Sequence, residues 1–240
     1  MIAAVTGGTR GIGRGIANAF AEAGHTVVVI ARAEPADLAL PFVAADLRLP
    51  EQVERAVDEI VRQHGAIDVW INNAGGSPPA DSATASPRFS EAILKLNLLA
   101  PLVCAQRANA VMQRQASGGV IVNIASVSAM RQSPTTAAYG AAKAGLIQLT
   151  STLAVEWAPK VRVNAVSPGM VATELSPLHY PDLAAVASTV PLRRMGTPDD
   201  VAAACLWLAS PAAAYVSGAN LVVHGGGERP AFLVATEKKT

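Results

Sequence analysis

A chain of 240 residues fits one α/β domain and is long enough to bury a sizeable core. Apolar residues make up 51% of it and charged residues only 15%, with aromatics at 4%. The net charge is +1 and the basic residues are scattered, which argues against nucleic acid or an anionic membrane as a partner.

Short aliphatic runs alternate with longer helix-period segments, the pattern of a doubly wound parallel sheet with helices on both faces. Strands are predicted over residues 2–5, 26–31, 42–45, 69–72, 120–124, 161–166 and 221–223. Helices are predicted over 11–23, 50–64, 87–115, 138–158 and 198–208. The last opens Thr197-Pro198-Asp199-Asp200, which supplies a capping hydroxyl, a proline at the first position and acids facing the helix dipole. Residues 76–87 and 174–191 read as long loops, the kind that cover binding sites. The connection over 32–41 is short and proline-bearing, so a full crossover helix is not expected there. One domain over 1–240 is the reading, with 227–240 as a C-terminal tail.

Cys104 and Cys205 sit in helix-like apolar surroundings, as reduced thiols do in a cytoplasmic protein. His25, His64, His179 and His224 lack metal-ligand spacing, so no metal is expected. No run of about 18 apolar residues stands out as a membrane span, and a strand pattern from Ile2 leaves no room for a secretory leader.

Directly after the first strand comes Thr6-Gly7-Gly8-Thr9-Arg10-Gly11-Ile12-Gly13, which opens a helix. Glycines let the backbone turn sharply and approach a phosphate, and the helix start offers free N–H groups and a positive dipole end. The spacing Gly7-x-x-x-Gly11-x-Gly13 resembles the glycine turn of the short-chain dehydrogenase/reductase family in its compact form. Asp46-Leu47, Asn72-Asn73-Ala74-Gly75, Asn97, Ser126, Tyr139-x-x-x-Lys143 and Pro168-Gly169 recur in that family's order, over essentially the whole chain. Several of these motifs fall at the carboxyl ends of predicted strands, the edge where open α/β sheets bind ligands.

The resemblance implies a Rossmann-type sheet of about seven strands and a nicotinamide cofactor contacting Gly7, Thr9, Arg10, Gly11, Ile12 and Gly13. It implies Asp46 and Leu47 at the adenine, Asn73, Ala74 and Gly75 alongside, and Pro168, Gly169, Val171 and Thr173 near the carboxamide. Ala31 stands where the family's ribose-binding acid would be, followed by Arg32, and Arg10 lies inside the turn. Two guanidiniums and no acid favour the 2′-phosphate of NADP(H) over NAD(H).

Tyr139 and Lys143 are one helical turn apart and project from the same face. The resemblance makes Tyr139 the general acid/base, Ser126 the donor to the substrate oxygen, Lys143 the charge that lowers the phenol pKa and binds ribose, and Asn97 a water anchor. An ammonium about 5 Å from the phenol, at an effective dielectric near 20, contributes roughly 3 kcal/mol to that lowering. Ser128 is a second candidate for the hydroxyl. The expected activity is carbonyl–alcohol interconversion, similar to bacterial 3-oxoacyl thioester reductases or to steroid and sugar alcohol dehydrogenases, in a homo-oligomer (dimer or tetramer). A silent NADP-binding sensor is the alternative from another class.

Overall fold

The computed structural model of the chain describes residues 1–230, with His179 described by its backbone only. Seven parallel strands form one sheet in the order β3-β2-β1-β4-β5-β6-β7. They are β1 Ile2–Thr6, β2 Thr26–Ala31, β3 Phe42–Ala44, β4 Val69–Asn72, β5 Gly119–Ile124, β6 Val161–Pro168 and β7 Asn220–Val223. Central strands are buried on both faces, which is why they read as unbroken aliphatic runs.

Alternation along each strand divides the core in two. On one face Ala4, Val28, Trp70 and Ile121 meet α2 (Pro50–His64), α4 (Ala100–Met112) and α5 (Ala137–Glu156). On the other, Val5, Val29, Ile71 and Val122 meet Phe20 of α1 (Gly11–Glu22) and Leu208 of α8 (Pro198–Ala209). Full burial of each such large side chain contributes about 1.5–3 kcal/mol.

The strand order reverses beside β1, whose neighbours are β2 and β4. Thr6 ties the two sides of that crevice together. Its buried hydroxyl donates to the Ile71 carbonyl at 3.1 Å and accepts from the Asn73 and Ala74 amides at 2.9 and 3.0 Å. The crevice is therefore fixed at its base.

The capping reading for α8 is met: Thr197 Oγ1 accepts from the Asp200 amide while Asp200 accepts from the Thr197 amide. Thr197→Ala is expected to lower unfolding stability by about 1 kcal/mol, read from denaturant midpoints.

Two expectations need correction. The predicted helix over 87–115 is three pieces: α3 (Pro87–Leu94), a π turn (Lys95–Leu99) and α4. Pro101 has no N–H to return to the Asn97 carbonyl four residues back, and its ring would crowd that carbonyl. The backbone widens instead, and the Ala100 amide bonds to Lys95. This whole run, Pro87–Met112, is long and apolar enough by length and composition to cross a membrane. Here, however, Ala100, Cys104, Ala105, Ala108 and Met112 pack against the sheet. Residues 174–191 are not wholly irregular either. They carry α6 (Ser176–His179) and α7 (Leu183–Thr189), the second capped by Asp182.

Between β2 and β3 no helix forms. The Arg14 guanidinium donates to the Asp37 carbonyl at 3.0 Å and pairs with its carboxylate at 3.3 Å, pinning the connector to α1. Of the expected tail, residues 231–240 lie outside the described residues. The described part is held: Glu228 pairs with Arg131 at 2.5 Å, and the Arg229 amide donates to Thr189.

Candidate active site

Gly7 and Gly11 take left-handed conformations, at φ +64° and +52°, which side-chain-bearing residues adopt only with strain. Gly13 is required for another reason. A Cβ there would lie 2.2 Å from the Gly7 carbonyl oxygen and 2.4 Å from the Asn73 amide nitrogen. The Asn73 side chain already donates to Thr6 and Gly7 carbonyls at 3.0 and 3.2 Å, so the turn cannot give way cheaply. Gly13→Ala is expected to destabilise the fold by about 1–3 kcal/mol and to abolish dinucleotide binding, as read by denaturant unfolding and NADPH fluorescence.

Helix α1 starts at Gly11 with no side-chain cap from Arg10 and no acid in its first turn. Within α1, therefore, no side chain takes up its leading N–H groups or its dipole.

A cleft of about 590 Å³ opens along the carboxyl edge of the sheet. Its wall brings together Gly7, Thr9, Arg10, Gly11, Ile12 and Gly13 with Arg32, Asp46 and Leu47 at one end. Asn73, Ala74 and Gly75 run alongside, and Ser126, Tyr139, Lys143, Pro168, Gly169 and Thr173 close the other end. Val171 is off the wall. It forms a bridge with Gly196, and its side chain packs against the α1/α8 core. Asn97 lies behind the wall, fully buried. Its amide nitrogen donates to the Gly76 and Ile93 carbonyls at 2.9 and 3.0 Å, and its oxygen accepts from the Gly76 amide at 2.8 Å. It therefore holds the Gly75–Gly76 backbone and occupies the Ile93 carbonyl beside the π turn.

At the Ser126 end the chain is closely fitted. Gly140 lets α5 approach the turn after β5, since a Cβ there would sit 2.9 Å from the Ser128 carbonyl. That approach sets Tyr139 and Ser126 together on the cleft wall. Ser128 points elsewhere: its hydroxyl meets Ser133 at 3.1 Å, and it is not part of the cleft wall. Of the two serines, Ser126 is the one on the cleft wall.

Lys143 is 3% exposed, donates to the Ile124 carbonyl at 2.7 Å, and stands 5.7 Å from the Tyr139 ring centroid. Burial lowers its pKa to about 8. Burial raises the Tyr139 phenol above its ordinary value, hydrogen bonding by Ser126 opposes that, and Tyr180, just after α6, adds to the rise. The expected lowering of the phenol by Lys143 is thus not what the folded chain produces. Desolvation is the largest influence on the phenol, which stays protonated near neutrality.

At the far end Asp46 meets a residue that the sequence reading missed. Arg48 forks its carboxylate, Nε to Oδ1 at 2.9 Å and Nη2 to Oδ2 at 2.5 Å. That hydrogen bonding, aided by the charge of nearby Arg32, brings Asp46 down to about 2. Arg10, Arg32 and Arg48 all line this end, with one neutralised acid among them. The signal was present as a charged pair two residues apart before α2, but only the fold shows both on the cleft.

A family model described as enoyl-(acyl carrier protein) reductase matches residues 7–228. The chain belongs to the short-chain dehydrogenase/reductase family. Among its relatives, 3beta-hydroxysteroid dehydrogenase 1 of Eggerthella lenta is 35% identical over 238 residues, covering 92% of this chain and 91% of the other. A protein of Streptomyces violaceoruber named as ketoacyl reductase 2 of the granaticin polyketide synthase is 36% identical over 239 residues, covering 94% and 95%. A solved structure of ElxO with NADP bound superposes with a TM-score of 0.87 at 29% identity, covering 94% of this chain and 97% of that one. As a member of the family the chain is an oxidoreductase.

Proposed function

We propose that the chain is an NADP(H)-dependent oxidoreductase that interconverts a carbonyl and a secondary alcohol, with Tyr139 as the general acid/base. The observation that carries this is one cleft with Ser126, Tyr139 and Lys143 at one end and Arg10, Arg32 and Arg48 at the other. The residues fit a dinucleotide: glycines leave the turn free of Cβ atoms, and three arginines line the end where a 2′-phosphate would lie. The ElxO structure with NADP bound and the steroid and ketoacyl relatives support the same reading.

When bound, the nicotinamide supplies or accepts the hydride. Ser126 hydrogen-bonds the substrate oxygen and holds it at Tyr139 Oη. In reduction Tyr139 gives that oxygen its proton; in oxidation it takes one away. Because burial keeps the phenol protonated, reduction is favoured near neutral pH, and oxidation accelerates as pH rises toward the phenol's raised pKa. Lys143 holds the ribose with its remaining N–H groups. Asn97 fixes the Gly75–Gly76 backbone behind Lys143. Exposed Val155, Trp207 and Tyr215 suit a homo-oligomer, which mass measurement in solution tests.

The test is a panel of ketones, 3-oxoacyl thioesters and secondary alcohols, followed by nicotinamide absorbance with NADP(H) and NAD(H) in parallel. Turnover of at least one carbonyl substrate with NADPH, and preference for it over NADH, is the expected result. A panel inert with both cofactors would contradict the proposal.

A further inference from the structure

One carboxylate reaches the glycine turn from the opposite side of the cleft. Glu174 Oε1 accepts a hydrogen bond from the Gly11 amide at 3.0 Å, linking residues 163 apart in sequence. Gly11 is the first residue of α1, so this N–H is one of the free donors at the helix start. Nothing in α1 itself provides an anion there: its first turn holds no acid and Arg10 makes no side-chain cap. Glu174 therefore takes the position, electrostatically, that a phosphate group takes at such a turn.

Glu174 belongs to the segment that leads from β6 into α6 and α7. Upstream the segment is fixed, through the Ala172 amide to the Gly196 carbonyl at 2.8 Å. Past Ser176, which is buried and accepts from the Thr173 amide at 2.8 Å, the segment is lightly held. α7 buries none of its residues, and Leu178 and Leu192 are 78% and 66% exposed. Segments with so little buried apolar contact open at small free-energy cost. Glu174 is itself exposed, so its side chain can swing away without desolvation.

We propose that Glu174 is an internal competitor for the dinucleotide phosphates, a latch that holds the α6–α7 lid against the glycine turn until the cofactor displaces it. The proposal rests on the cofactor reading above. A cofactor whose site is latched for most of the time binds with its affinity reduced by the open fraction. A single charge-assisted contact at a helix start sets that factor at about 3- to 10-fold.

The experiment is a fluorescence titration of NADPH, with parallel calorimetry of inorganic pyrophosphate, on the wild type, Glu174→Gln, Glu174→Ala and Asp182→Asn. Asp182→Asn removes a lid charge that caps α7 and does not reach the turn, and asparagine caps equally well. NADPH and pyrophosphate should both bind about 3- to 10-fold more tightly to Glu174→Ala, less so to Glu174→Gln, and unchanged to Asp182→Asn. Hydrogen exchange over residues 174–189 without ligand should be faster in Glu174→Ala than in the wild type. Equal or weaker NADPH binding by Glu174→Ala would overturn the latch while leaving the cofactor reading intact. Equal tightening by Asp182→Asn would also overturn it, as general charge relief. Failure of every protein to bind NADPH would sink the cofactor reading and the latch with it.

Discussion

Tyr139→Phe should lower kcat by about 100- to 10,000-fold while leaving the NADPH dissociation constant within about twofold of the wild type. The change removes one oxygen from a half-buried ring that keeps its place on α5 and its neighbour Lys143. Without it no group in contact with the Ser126 hydroxyl can pass a proton to the substrate oxygen. Ser126 alone stabilises charge but cannot titrate in this range, so the remaining rate reflects positioning and electrostatics. Circular dichroism and thermal unfolding would establish that the variant folds. Retention of more than a tenth of wild-type kcat would show that the proton comes from elsewhere.

Arg32→Asp should weaken NADPH binding by about 100-fold and leave NADH binding unchanged or improved. The guanidinium stands just beyond β2 on the cleft wall, and Arg14 holds the following connector through Asp37. A charge-assisted contact to a phosphate is worth about 1.5–3 kcal/mol, and an inserted carboxylate adds repulsion. Asp46 does not counteract this preference, because Arg48 forks its carboxylate. Equal loss of both cofactors would point to local collapse, whereas an unchanged NADPH constant would remove Arg32 from the phosphate site.

The strands and the phosphate turn were legible because each follows from a local rule. A short run of β-branched residues such as 27–30 favours a strand buried on both faces, and Gly7, Gly11 and Gly13 answer tight backbone demands. The ordering of Ser126, Tyr139 and Lys143 was legible through family resemblance, and the fold then separated Ser126 from Ser128 by direction alone. What stayed hidden depended on geometry between distant segments. Pro101 was visible, yet apolar periodicity ran through it, and only its effect on the Asn97 carbonyl reveals the π turn. The Arg48 fork needs the β3–α2 turn to bring it onto the cleft. Glu174 meets Gly11 only because β6 ends opposite α1. The direction of the Tyr139 shift depends on how deeply α5 sinks behind the lid, which spacing does not encode.

The most direct measurement is isotope transfer. Wild-type protein supplied with NADPH deuterated at the transferring nicotinamide position and a ketone from the panel should yield an alcohol with one deuterium on the carbinol carbon, seen by mass spectrometry. An alcohol free of deuterium, or NADPH consumed with no alcohol formed, would contradict the account.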